Sequence, residues 1–137
     1  MDGIREVLGV ALVSLVVMAS PALAVDEPLV QQADGVSYMS GGVGDEERDR
    51  ILSIGKDFNL KLVLATRSGA YLSDVNIVIV DGRGQRRLDV KSDGPLFYAK
   101  LPTGRYKIKA AANGVLLQES VDVAAQGQRT VNLRWND

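Results

Sequence analysis

From residue 57 onward the chain is a succession of short segments in which apolar residues recur at every second position, each closed by a turn pair. Phe58, Leu60, Leu62 and Leu64 alternate with Asn59, Lys61, Val63 and Ala65; Tyr106, Ile108 and Ala110 alternate with Lys107 and Lys109; Val131, Leu133 and Trp135 alternate with Thr130, Asn132 and Arg134. A period of two is the mark of a strand with one buried face. Turns are expected at Ser68-Gly69, Asp81-Gly82-Arg83-Gly84, Ser92-Asp93-Gly94-Pro95, Pro102-Thr103-Gly104, Asn113-Gly114 and Gln126-Gly127. They divide the segment into seven short strands, with a turn about every ten residues and no helix between them. Parallel neighbours in sequence require crossover helices, so the expected fold is all-β: a seven-stranded, largely antiparallel Greek-key sandwich, preceded by a short helix.

The most informative of these turns is Leu101-Pro102-Thr103-Gly104-Arg105-Tyr106. Proline presets φ at a turn and glycine admits backbone conformations that other residues avoid. Leu101 is expected to point into the core. Tyr106 is expected to lay its ring on the core edge and bond a backbone group across the corner, as tyrosine corners do. Replacing Gly104 with valine is expected to be severe if Gly104 has positive φ. Leu101, Pro102, Gly104 and Tyr106 thus form a structural corner with no reactive group.

Residues 1–24 read as a secretory leader. Val7–Ala19 is apolar save for Ser14, and Ser20-Pro21-Ala22-Leu23-Ala24 ends it in a small-residue cleavage pattern. The alternative is an uncleaved anchor, but the run is shorter than the about 20 residues of a membrane span. Residues 25–56 are expected to form an extended arm over Val25–Tyr38, a glycine-rich loop at Ser40-Gly41-Gly42-Val43-Gly44, and a short helix capped by Asp45 and ended by Gly55, with Ile51 and Ile54 facing the domain. The sandwich then occupies 57–137. A phosphate-binding reading of the loop is disfavoured because three acids open the helix. A calcium loop is disfavoured because those acids lack EF-hand spacing.

Of the 137 residues, 16 are Lys or Arg and 17 are Asp or Glu. The leader holds one base and two acids, so the mature chain carries 15 of each and no net side-chain charge. Nothing in that total favours nucleic acid or an anionic surface as a partner. The chain has no Cys and no His. This excludes a disulfide framework, a lipid attachment site after the leader, Ser-His-Asp and Cys-His nucleophile systems, and His- or Cys-ligated metal. No cofactor, metal site or catalytic residue is expected, and the chain reads as a non-enzyme.

The residues left for binding are few. Arg83, Arg86 and Arg87 cluster at one hairpin, where they can meet an anionic glycan or lipid headgroup; the plainer reading is a charged edge that discourages strand-to-strand aggregation. Asp81 and Asp93 sit in turns, where Asp bonds its own backbone. Trp135 matches the inner face of its strand and is expected in the core, although Trp135 and Tyr98 are also the residues able to stack on a sugar if exposed.

The run from Leu60 to Leu133 resembles the carboxypeptidase regulatory-like domain, a transthyretin-like (prealbumin-like) sandwich. The matching pieces are Leu72-Ser73-Asp74-Val75-Asn76-Ile77 before Asp81-Gly82-Arg83-Gly84, then Ser92-Asp93-Gly94, Leu101-Pro102-Thr103-Gly104-Arg105-Tyr106, Gly114, and Val131-Asn132-Leu133. The resemblance implies an accessory module without catalytic residues, of the kind found beside peptidases, in outer-membrane receptors and in adhesins. The arm with its glycine-rich loop is similar to small exported bacterial proteins carrying one such domain. The expected role is therefore an exported module, periplasmic or secreted, that binds an unknown envelope protein or glycan, with no nucleic-acid partner and no membrane span once the leader is removed. The alternative is a carbohydrate- or small-ligand-binding module, which needs exposed aromatics.

Overall fold

The computed structural model describes residues 29–137; the expected leader lies outside them. The described chain forms β1 (Gln31–Ala33), β2 (Val36–Gly41), α1 (Asp45–Ile54), a 3-10 turn (Gly55–Asp57), β3 (Leu60–Thr66), β4 (Val75–Asp81), β5 (Arg86–Ser92), β6 (Leu96–Lys100), β7 (Gly104–Ala112), β8 (Val115–Val123) and β9 (Arg129–Trp135). They make a β-sandwich: one sheet in the order β1-β2-β6-β3-β9, the other β5-β4-β7-β8. Hairpins join β4 to β5 and β7 to β8, while the chain passes between sheets at β3–β4, β5–β6, β6–β7 and β8–β9.

The alternating residues fill the space between the sheets. Leu60, Leu62, Leu64, Ile77, Ile79, Phe97, Ile108, Leu133 and Trp135 are all buried there. Trp135 belongs to the core, as its strand position indicates, and its indole N–H donates to the Val115 carbonyl (3.0 Å).

The all-β sandwich is as expected, with four departures. Residues 31–41 are not an extended arm. They form a hairpin whose second strand, β2, pairs antiparallel with β6 from Ser37↔Lys100 to Gly41↔Leu96. The hairpin turns on Asp34 (φ 51°) and Gly35 (φ 79°), a pair with positive φ that matches the twist of a tight two-residue loop. The sandwich thus has nine strands among the described residues and draws in chain ahead of residue 57. Second, β3 and β9 pair in parallel, from Leu60↔Arg129 to Thr66↔Trp135. No crossover helix is needed because these strands are distant in sequence, and the connection between them runs through the opposite sheet.

Third, Asp45 is not the N-cap. Gly44 holds that place, and Asp45 is the first helical residue, with no side-chain capping bond. Gly55 does not stop the helix through positive φ either; it stays right-handed (φ −65°) and leads into the 3-10 turn. Its smallness matters instead, because a Cβ there would overlap the Tyr98 ring. Fourth, Gly104 is not at positive φ. A Cβ at Gly104 would lie 3.7 Å from the Tyr106 ring, an ordinary contact. The severe effect expected of Gly104→Val therefore has no backbone cause.

A second apolar cluster lies on the outer side of the first sheet. Met39, Ile51, Phe58, Leu96 and Tyr98 are buried together under α1, with Ile54 beside them. Strand β6 is consequently apolar on both faces: Phe97 and Ala99 serve the inner core, Leu96 and Tyr98 the outer one.

Candidate binding surfaces

The turn from β6 to β7 carries the chain from one sheet to the other and forms the expected corner. The Tyr106 hydroxyl donates to the Pro102 carbonyl at 2.7 Å, with Leu101 and Tyr106 both buried. Burial also pushes the Tyr106 phenol up from its ordinary pKa. The corner has a second tie that the period-two reading assigned to the outward face. Asn59 is buried; its side-chain oxygen accepts from the Leu101 N–H (2.9 Å), and its amide donates to the carbonyls of Leu101 (2.8 Å) and Ala124 (3.0 Å). One side chain thereby satisfies backbone groups at two of the places where the chain changes sheet. Its only sequence signal is an amide just ahead of a strand. These contacts spend the polar atoms of the corner on structure.

The β4–β5 hairpin carries the arginines. The Asp81 carboxylate accepts from the backbone N–H groups of Arg83 and Gln85 (2.9 Å each), the Asx geometry expected of it. The Gln85 hydrogen bond holds its carboxyl below the usual range, aided by the Arg83 amide and the charges of Arg87 and Arg83 and opposed by partial burial. The register shifts between Ile79 and Val80. Such a bulge sets two residues against one and re-aims side chains. Arg86 turns to Asp89 (2.9 Å), whereas Arg83 and Arg87 line a shallow recess of about 370 Å³ against Pro102, Tyr106 and Arg105. The structure thus brings two of the three expected arginines to the corner, separates the third, and adds Arg105. Arg105 itself is held by Asp122 through two hydrogen bonds (2.8 and 3.2 Å).

The edges of the second sheet differ. β5 presents Arg86, Arg87, Asp89 and Lys91 along its length. β8 pairs only with β7 among the described residues, and Val115 and Leu116 are 51% and 52% exposed at its start.

The aromatics are mostly withdrawn from solvent. Tyr98 is buried, and Tyr38 stacks on Phe97 (5.9 Å) with its hydroxyl donating to Gln31. Tyr71 is 57% exposed, but the Arg48 guanidinium lies 5.2 Å over its ring. The glycine-rich loop is occupied by the chain itself: the Gly42 N–H donates to the Glu47 carboxylate (3.2 Å). No helix among the described residues is long and apolar enough to cross a membrane. No family model matches the chain, and no curated protein matches it.

Proposed function

We propose that the chain is an exported, non-enzymatic module of the carboxypeptidase regulatory-like kind, periplasmic or secreted, that binds a protein of the cell envelope. The observation that supports this most is the contrast between the two edges of the β5-β4-β7-β8 sheet. An unpaired strand edge is a template for another chain, and folded proteins guard such edges with charge. β5 is guarded in that way. β8 is nine residues long, begins with the exposed Val115 and Leu116, and beyond the Val115 carbonyl, which the Trp135 indole takes, its edge-facing groups are open to a partner strand among the described residues. A partner strand added there gains main-chain hydrogen bonds for affinity and side-chain contacts for specificity. The non-enzymatic reading draws on the absence of His and Cys and on the structural use of Asp81, Asn59 and Tyr106. The carbohydrate-binding alternative draws less support, since Trp135 and Tyr98 are buried and Tyr71 is covered on one face.

Photo-crosslinking from the exported chain tests this. A crosslinker at Leu116 should capture one envelope protein, and the same group at Asp89 on β5 should not. Equal capture from both edges, or none from β8, overturns the reading. Export is tested separately by mass spectrometry of the native protein: Val25 at the N-terminus is expected, and retained Met1 in the membrane fraction overturns it.

A further inference from the structure

The outer face of the β5-β4-β7-β8 sheet bears a set of cations that the chain total hides. Because Ile77, Ile79, Ile108 and Ala110 point inward, their neighbours on β4 and β7 point out. Lys107 pairs in register with Val80 and Ser120, and Lys109 with Val78 and Gln118. Lys91 on β5 lies opposite Asn76. The acids of this face are already engaged: Asp89 by Arg86 at 2.9 Å, and Asp122 by Arg105 at 2.8 Å. Lys91, Lys107 and Lys109 make no ion pair among the described residues, so three positive charges are left over. The acids that balance the total lie elsewhere, with Asp45, Glu46 and Glu47 at the start of α1 under the other sheet.

The shape of the face narrows what it can bind. Residues two apart on a strand lie about 6.7 Å apart and adjacent strands about 4.8 Å apart. Lys107, Lys109 and Lys91 are therefore spread over a patch roughly 16 Å across, with the half-buried Val78 and Val80 between them. Lys107 and Lys109 border an open recess of about 370 Å³ with Val80, Arg105 and Ser120, and Lys91 lies outside it. Lysines act as mobile point charges on apolar stems, suited to diffuse attraction and not to bidentate capture of one anion. An acidic chain laid in the recess reaches Lys107 and Lys109 but leaves out Lys91, whereas the many headgroups of a lipid surface can meet all three ammonium groups at once.

We propose that this face docks on an anionic phospholipid surface, with Lys91, Lys107 and Lys109 over the headgroup phosphates and Val78 and Val80 facing the interface. It goes beyond the protein-binding reading above and rests on other residues than the β8 edge, so either can fail alone.

The test is co-sedimentation of the mature chain with vesicles of phosphatidylcholine, with and without phosphatidylglycerol. Binding is expected only with phosphatidylglycerol, and it should disappear at about 1 M salt, where the screening length falls to about 3 Å. Lys107→Glu with Lys109→Glu should weaken it by roughly tenfold or more. If those glutamates unfold the sandwich, Lys107→Gln with Lys109→Gln removes the same charges and should still weaken binding severalfold. Equal binding to both vesicle types, or undiminished binding by the folded double variant, overturns the proposal. Binding to soluble polygalacturonate without binding to vesicles also overturns it and assigns the face to an acidic glycan.

Discussion

The two sheets of this sandwich have unlike outer faces. The outer face of β1-β2-β6-β3-β9 is covered over β2 and β6 by α1 and the 3-10 turn, which bury Tyr98 and Leu96 over Ile51 and Phe58, while β9 stays exposed on that side. The outer face of β5-β4-β7-β8 is bare and carries Lys107 and Lys109 at every second position. The pattern of each strand follows from this. β6 runs Leu96-Phe97-Tyr98-Ala99 without a polar break because both sides are dry, as strands covered on both faces do. β7 alternates because one side is wet. The covered sheet is therefore where burial stabilises the molecule most, and the bare sheet is where side chains are free to serve a partner.

Substitutions should rank accordingly. Tyr98→Ala removes the ring that packs on Gly55 and on Phe58, 6.0 Å away. Its cost should be about 3–5 kcal/mol in a urea titration; a cost near that of a surface change would mean that α1 is not part of the core. Leu101→Ala, at the joint between the sheets, should cost about 2–5 kcal/mol through lost methylenes and a cavity. A midpoint coinciding with wild type would place the corner outside the core.

Asn59→Ala keeps the joint's apolar packing but strips the Leu101 N–H of its acceptor. About 1–3 kcal/mol is expected for a buried group left unpaired. Faster amide hydrogen exchange at Leu101 is the accompanying signature, and unchanged exchange would show that another group replaces the side chain. Tyr106→Phe keeps the ring and loses only the bond to Pro102, so about 1 kcal/mol is expected. It should unfold at clearly higher denaturant than Leu101→Ala. Lys107→Glu with Lys109→Glu belongs to the bare face and should shift stability by no more than about 0.5 kcal/mol per site. A larger loss would mean that this face, too, is held by specific contacts.

Much of this was legible in advance for a local reason. Turn chemistry at Asp81-Gly82-Arg83-Gly84 and at Asn113-Gly114 acts over a few residues, and both hairpins are present. The corner was legible because Pro102, Gly104 and Tyr106 lie within five residues of one another. β2 was not, because Ser37, Ser40 and Gly41 give it a weak strand pattern of its own. It is a strand because β6 supplies its hydrogen bonds from about sixty residues away in the chain, as at Ser37↔Lys100. Asn59 was missed for the same reason: its partners Leu101 and Ala124 are 42 and 65 residues away.

What the residues alone determined, then, is the class of fold, the inner face of β3, β7 and β9, the corner, and the lack of His and Cys for nucleophilic or metal chemistry. Each depends on periodicity, turn geometry or plain composition, which are properties of neighbours or of counts. The tertiary structure decided which faces stay bare. It turned Arg86 to Asp89, set Arg105 beside Arg83 and Arg87, and separated the lysines of β7 from the acids of α1. Charge adds up along a chain regardless of order, but the field outside the molecule depends on where packing leaves each charge. A balanced total is therefore compatible with a face that carries an excess of one sign.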